Sequence, residues 1–211
     1  MTPEEIAAHF TQADGTYVFA RRGRPIVPVV PVVFGVDDAT PAIFKGAIEA
    51  VVTLAGHKMA ETDPEIGANL MIFCFREWAE LPAVPGLDRL IPDLEALCER
   101  LDAGVANQCR LFRFDPQSAI RAAFVFLRMD AALLDVPAED LALAQMAQVI
   151  CLWSDRAFAT RSLLVKLEDS VILRPDIAAL IRAGYDRVLP SQARDPSHAL
   201  RLFARLNSSS A

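Results

Sequence analysis

Ala68-Asn69-Leu70-Met71-Ile72-Phe73-Cys74-Phe75 (ANLMIFCF) decides the fold. Seven of its eight side chains are apolar, in a run too short for a helix core and without the alternation of a half-wet strand. Such a run reads as a strand buried on both faces, which needs helices or loops above and below it. On its N-terminal side, Thr40-Pro41 opens a helix expected to run to Ala55, with Ile43, Phe44, Ala47, Ile48, Val51 and Val52 at helical spacing. Gly56 closes that helix as the residue after the cap. Further back, Ile26 to Phe34 reads as a strand whose prolines at 25, 28 and 31 make its first half irregular, so Val29–Val36 is the better strand. Thr2-Pro3-Glu4-Glu5 starts a short first helix with a capping box, Thr16–Ala20 reads as a strand, and Arg21-Arg22-Gly23-Arg24 as a turn.

On the C-terminal side, Pro85–Leu101 presents Leu87, Leu90, Ile91, Leu94, Leu97, Cys98 and Leu101 at helical spacing. Cys109–Asp115 and Ala119–Met129 form a hairpin around Asp115-Pro116-Gln117-Ser118. Pro137–Trp153 is the central helix, helices follow near Pro175–Ala183 and Pro196–Leu206, and the last five residues, NSSSA, read as a frayed tail. After the first helix the order is β-β-α-β-α-β-β-α-α-α, with no repeat or linker. The expected fold is α+β: one mixed sheet of about five strands packed against helices, in a single domain over 1–211.

Composition narrows the function. The chain has 211 residues, 53% hydrophobic, with a net charge of −6 and no run of Lys and Arg, which argues against nucleic-acid binding. The N-terminal MTPEEIAAHF has glutamates where a secretory signal needs positive charge, and the run Pro25–Phe34 is too short and proline-rich to span a bilayer. The reading is therefore a soluble, cytoplasmic protein with no membrane partner. Cys74, Cys98, Cys109 and Cys151 form no CxxC pair and read as buried reduced thiols. His9, His57 and His198 are far apart and read as surface or capping residues. Isolated glycines exclude the phosphate-binding loops, and no G-x-S-x-G occurs.

Ala144–Asp155, AQMAQVICLWSD, carries the most specific signal. It resembles the active helix of a zincin-like family of bacterial proteins of unknown function, itself similar to metzincin-type zinc proteases with the pattern HExxHxxGxxH. In that pattern the first histidine position holds Ala144, the glutamate position Gln145 and the second histidine position Gln148. Cys151 takes the glycine position, Ser154 the third-ligand position, and Asp155 follows. The zincin-like family's helix reads approximately EELAQALGLxND, which Gln148 and Asp155 match and Ala144, Gln145 and Cys151 do not. Downstream, Arg174–Arg182 followed by Tyr185-Asp186 resembles that family's Asp-x-x-Leu-Leu-x-x-Leu-Tyr-Asp segment. The resemblance spans residues 25 to 190 as topology and about thirty residues as motif.

Chemistry alone excludes the protease mechanism. Zinc binds through thiolate, imidazole or carboxylate, and Ala144 has no ligand atom while Gln148 offers a neutral amide. Gln145 cannot accept a proton from water, so no general base stands there. The expectation is a non-catalytic domain, with no cofactor and no metal, acting through ligand binding or protein interaction. The alternative is a hydrolase with a zinc-free site around Gln148, Asp155, Asp176 and Tyr185. Ligand-binding candidates are Gln145, Gln148, Asp155, Asp176 and Tyr185. The ligand is unspecified, and Gln145 and Gln148 are either satisfied core amides or the floor of a site. Glu139 and Asp140 read as first-turn acids of the central helix, and Tyr185 as a core residue by default. The last helix, with Leu200, Phe203 and Leu206 on one side, suits packing on its own domain or across a homodimer interface.

Overall fold

A computed structural model describes residues 1–23, 27–63, 67–168 and 170–208. The expected strand start at Pro25 and Ile26, the Arg24 of the expected turn and the end of the expected tail, 209–211, lie outside the described residues.

The apolar run is the strand β3 (Leu70–Phe75), and it lies inside the main sheet. Its neighbours are β2 (Pro31–Phe34) and β5 (Ile120–Arg128), both parallel to it, and β4 (Gln108–Phe114) closes the far edge antiparallel to β5. The chain is thus α+β, with an open mixed sheet of four strands in the order β2-β3-β5-β4. Strand alternation sorts the side chains cleanly. Leu70, Ile72 and Cys74, with Ala123, Val125 and Leu127, face α2 (Thr40–Leu54) and α6 (Ala138–Val149). Phe73, Phe75, Phe124 and Phe126 face the other way, onto a 3-10 helix (Trp78–Ala83), α3 (Leu87–Leu90) and α4 (Leu94–Ala103). Both faces are covered, as a continuous apolar run requires.

The remaining helices are α1 (Pro3–Ala8), α5 (Ala131–Leu134), α7 (Pro175–Gly184) and α8 (Ser197–Ser208). The capping box at Thr2 and Glu5 is present, each side chain bonding the other's backbone N–H at 3.2 and 2.7 Å. α8 packs its Ala199 and Leu202 on α1 and α7 rather than leaving them to solvent.

Three expectations need correction. The strand at Thr16–Ala20 is not a fifth member of the sheet: only Phe19–Ala20 (β1) is a strand, and it pairs antiparallel with Gln192–Ala193 (β8). The helix expected over Pro85–Leu101 is broken after Leu90. Pro92 cannot donate a helical hydrogen bond, and Asp93 turns the chain at a φ of 56° before α4 begins. The central helix stops at Val149, short of Trp153, because Cys151 bridges to Arg21 and the Leu152 N–H bonds the Ala20 carbonyl at 2.8 Å. The Trp153 indole then turns back and donates to the Ala147 carbonyl at 2.8 Å, satisfying an acceptor near the helix end. A second hairpin, β6 (Leu164–Leu167) with β7 (Ser170–Leu173), lies where no element was expected.

Candidate functional site

α6 meets the edge strand β4 through one polar cluster. Gln108 and Arg110 lie two apart on β4, so their side chains leave the same face. Gln145, 1% exposed, stands opposite on α6. Its Oε1 accepts from Arg110 Nε at 3.1 Å and Nη2 at 2.8 Å. Its Nε2 donates to Gln108 Oε1 at 2.9 Å, and that oxygen also accepts from Arg110 Nη2 at 2.7 Å. The orientation of the amide is therefore forced: an oxygen must face the guanidinium, and the nitrogen is left for Gln108. The cluster contains no carboxylate. Burial lowers the Arg110 pKa to about 10, which leaves it charged at neutral pH.

Gln148 does not join this cluster. It is half-buried, and its Nε2 donates to the Ala144 carbonyl at 3.2 Å, one turn back on its own helix. Asp155 is exposed, in the turn after α6. Asp176, in the first turn of α7, is held by Arg174 through Nε–Oδ1 at 2.7 Å and Nη2–Oδ2 at 2.8 Å, with Arg161 at 3.5 Å from Oδ2. The hydrogen bonds from Arg174 hold its carboxyl below the usual range. His9 lies near this pair, its ring 5.9 Å from Trp153 and 5.7 Å from Phe158, and burial lowers its pKa.

Tyr185 is buried at the end of α7. Its hydroxyl donates to the Ile150 carbonyl at 2.7 Å and accepts from the Arg22 backbone N–H at 3.1 Å. Burial pushes its pKa up, so it stays a neutral phenol. The five candidates thus fall into separate places: Gln145 with β4, Gln148 on its own helix, Asp155 in solvent, Asp176 with Arg174, and Tyr185 with the β1 segment.

Sequence reasoning passed over the partners. Arg21 and Arg22 are not turn residues but buried ones, bridging to Cys151 and Ile120. His57 and His198 are buried rather than surface residues. His198 Nδ1 sits 2.9 Å from the Tyr17 hydroxyl, and burial lowers its pKa to about 4. The four cysteines are free, with Cys74, Cys98 and Cys151 buried and Cys109 half-buried. Burial raises the Cys74 thiol to about 11 and the Cys151 thiol to about 12, so neither is an activated nucleophile. Among the described residues no three His, Cys, Asp or Glu side chains are grouped to hold a metal ion.

Neither glutamine lines either of two clefts on the described surface. The larger, about 740 Å³, lies between α2, the N-terminal half of α6 and the β6–β7 hairpin. Ala42, Gly46, Ala47 and Ala50 give it a low wall, Leu143 and Val171 an apolar floor, and Glu139, Asp140, Glu168 and Lys166 a charged rim. A smaller one, about 470 Å³, sits at the carboxyl ends of β3 and β5, lined by Arg76, Glu77, Arg128 and Asp130. No helix of the described residues is long and apolar enough to cross a membrane. Comparison with protein-family models, with curated proteins and with solved structures gives no match.

Proposed function

We propose that this chain is a zincin-like domain that works without hydrolytic chemistry, through protein interaction at the cleft between α2, α6 and the β6–β7 hairpin. One observation carries the reading: Gln145, at the position of the general base, is consumed by Arg110 and Gln108. A buried amide with every polar atom committed neither activates water nor receives a ligand. Support for the zincin-like part comes from the element order, in which the β4–β5 hairpin is followed by α5 and α6, and from the hydrogen bonds that tie Gln145 of α6 to the antiparallel edge strand. Support for the interaction part is the cleft, which has a floor of Leu143 and Val171 and a rim carrying three acids and one lysine. Its net negative rim favours a partner segment with an apolar stripe and basic flanks.

The test is a photoreactive amino acid placed at Ala47, inside the cleft, in the full chain expressed in its native host. The same group at Glu99, exposed on α4, serves as the control. A discrete polypeptide adduct at position 47 and not at position 99 is expected. Equal yields at both positions, or none at 47, would overturn the interaction reading.

A further inference from the structure

The chain leaves the neighbouring parallel strands β3 and β5 toward opposite faces of the sheet. After β3 it turns into the 3-10 helix, whose Trp78 and Leu81 share a core with Phe73 and Phe75. After β5 it turns the other way, into α5 and α6, whose Leu133 and Leu141 share the opposite core with Ile72 and Val125. Parallel strands whose connections part in this way leave a crevice at their carboxyl ends, the usual place for a ligand in an open sheet. The smaller cleft, about 470 Å³, lies there. That volume falls within the roughly 300–1,000 Å³ of small-molecule sites. The two strand ends are joined at this point by the Met129 N–H, which donates to the Phe75 carbonyl at 2.7 Å.

Arg76 and Glu77 enter the lining from the turn after β3, Arg128, Met129 and Asp130 from the end of β5 and the turn after it, and Leu134 from α5. Two guanidiniums and two carboxylates thus line one volume. Their commitments differ. Arg128 is tied to Asp102, outside the lining, through Nη1–Oδ1 at 3.4 Å. Asp130 accepts one bond on each oxygen, from the Leu133 N–H and from Asn107 Nδ2, both at 3.0 Å. Those bonds hold its carboxyl below the usual range, and each oxygen keeps a further lone pair. Arg76 is exposed, and the turn uses its backbone N–H, which donates to Glu80 Oε1 at 3.0 Å. A ligand of one sign alone would meet like charge from half of the charged lining, whereas a ligand carrying both signs meets a partner for each. Met129 and Leu134, the latter 67% exposed, add an apolar wall.

We propose that the cleft at the carboxyl ends of β3 and β5 binds a small zwitterion, an α-amino acid with an aliphatic side chain. Its carboxylate meets the Arg76 guanidinium, its ammonium the Glu77 and Asp130 carboxylates, and its side chain Met129 and Leu134. Charge-assisted hydrogen bonds at both ends make recognition depend on both charges of the ligand. The site shares no lining residue with the interaction cleft and is independent of the Gln145 cluster.

The experiment is calorimetric titration of the full chain with L-leucine and L-methionine, beside N-acetyl-L-leucine, which lacks the ammonium, and L-leucinamide, which lacks the carboxylate. Saturable binding of one leucine or methionine per chain is expected, with each single-charge derivative weaker by about tenfold or more. In spectra of the chain with 13C-labelled methionine methyls, the Met129 resonance is expected to move with leucine, which reads the site without any substitution. Arg76→Gln changes an exposed side chain, so it is expected to keep the melting temperature and to weaken leucine binding about tenfold. Arg89→Gln, exposed on α3, is expected to leave binding unchanged. No saturable binding of either amino acid, a derivative that binds as well as leucine, a Met129 resonance that does not respond, or equal effects of the two arginine variants would overturn the proposal.

Discussion

A single oxygen of Gln145 accepts two hydrogen bonds from one guanidinium, from Arg110 Nε at 3.1 Å and from Nη2 at 2.8 Å. This contact joins the central helix to the edge of the sheet, and it gives a half-buried cation two hydrogen bonds to one acceptor. Gln145→Leu keeps the volume but strips Arg110 of two acceptors, so the folded state is expected to lose about 3 kcal/mol. Gln145→Glu restores a carboxylate and gives Arg110 a counter-charge. It is expected to match or exceed the wild type at neutral pH. Urea unfolding of both variants checks the pair, and a Glu variant as unstable as the Leu variant would contradict the role given to charge.

Gln148→Ala is expected to cost under about 1 kcal/mol, because its amide makes one local bond to the Ala144 carbonyl and remains half-buried. The contrast with Gln145 separates two glutamines that are one helical turn apart. Equal losses in Gln148→Ala and Gln145→Leu, measured by the same unfolding curves, would contradict it.

The fold was partly legible. The run at Ala68–Phe75 announced a strand covered on both sides, and Asp115-Pro116 announced the turn of the β4–β5 hairpin. Pro92 carried the break between α3 and α4, but the apolar spacing across it suggested one helix. The β6–β7 strands are four residues each and hold Lys166, so no alternation stands out over that length. The candidate site was less legible, for a physical reason. Arg21, Arg22 and Arg110 sit in or beside apolar strands, and an arginine in sequence reads as solvated unless its acceptors are known. Those acceptors lie 35 residues away for Arg110 and 47 for Arg22, beyond any local pattern.

Gly35 approaches the sheet so closely that a Cβ there would overlap the Cys74 carbonyl, and its φ is +75°. Gly35→Ala combines a steric overlap with a left-handed backbone, and is expected to destabilise the protein by about 2–4 kcal/mol. Gly15→Ala, with open space around it, isolates the backbone contribution and is expected to cost about 1 kcal/mol. Thermal unfolding of the two variants gives the comparison.

Acid sensitivity follows from His198. Its usual pKa is 6.5 and burial lowers it to about 4, with Arg201 adding to the effect. The unfolded chain therefore binds this proton first as the pH falls, so stability is lost from about pH 6.5 down to about pH 4 and the loss then levels off. His9 and His57, also lowered by burial, act in the same direction. His198→Gln is expected to flatten part of this slope in urea unfolding measured across that range, and an unchanged slope would contradict it.

Asp176 acts at still lower pH. Its folded carboxyl titrates below the usual 3.8, so its contribution is present above that value and is lost as the pH falls through the folded pKa. Asp176→Asn leaves Arg174, 7% exposed, without its bidentate partner, and is expected to cost about 2–3 kcal/mol at neutral pH.

We propose that α6 is a structural helix whose Gln145 is locked by Arg110. The most direct measurement is the metal content of the full chain by elemental analysis, after loading with zinc and exhaustive dialysis against metal-free buffer. Far less than one zinc per chain is expected, and one tightly held zinc per chain would contradict this role for α6.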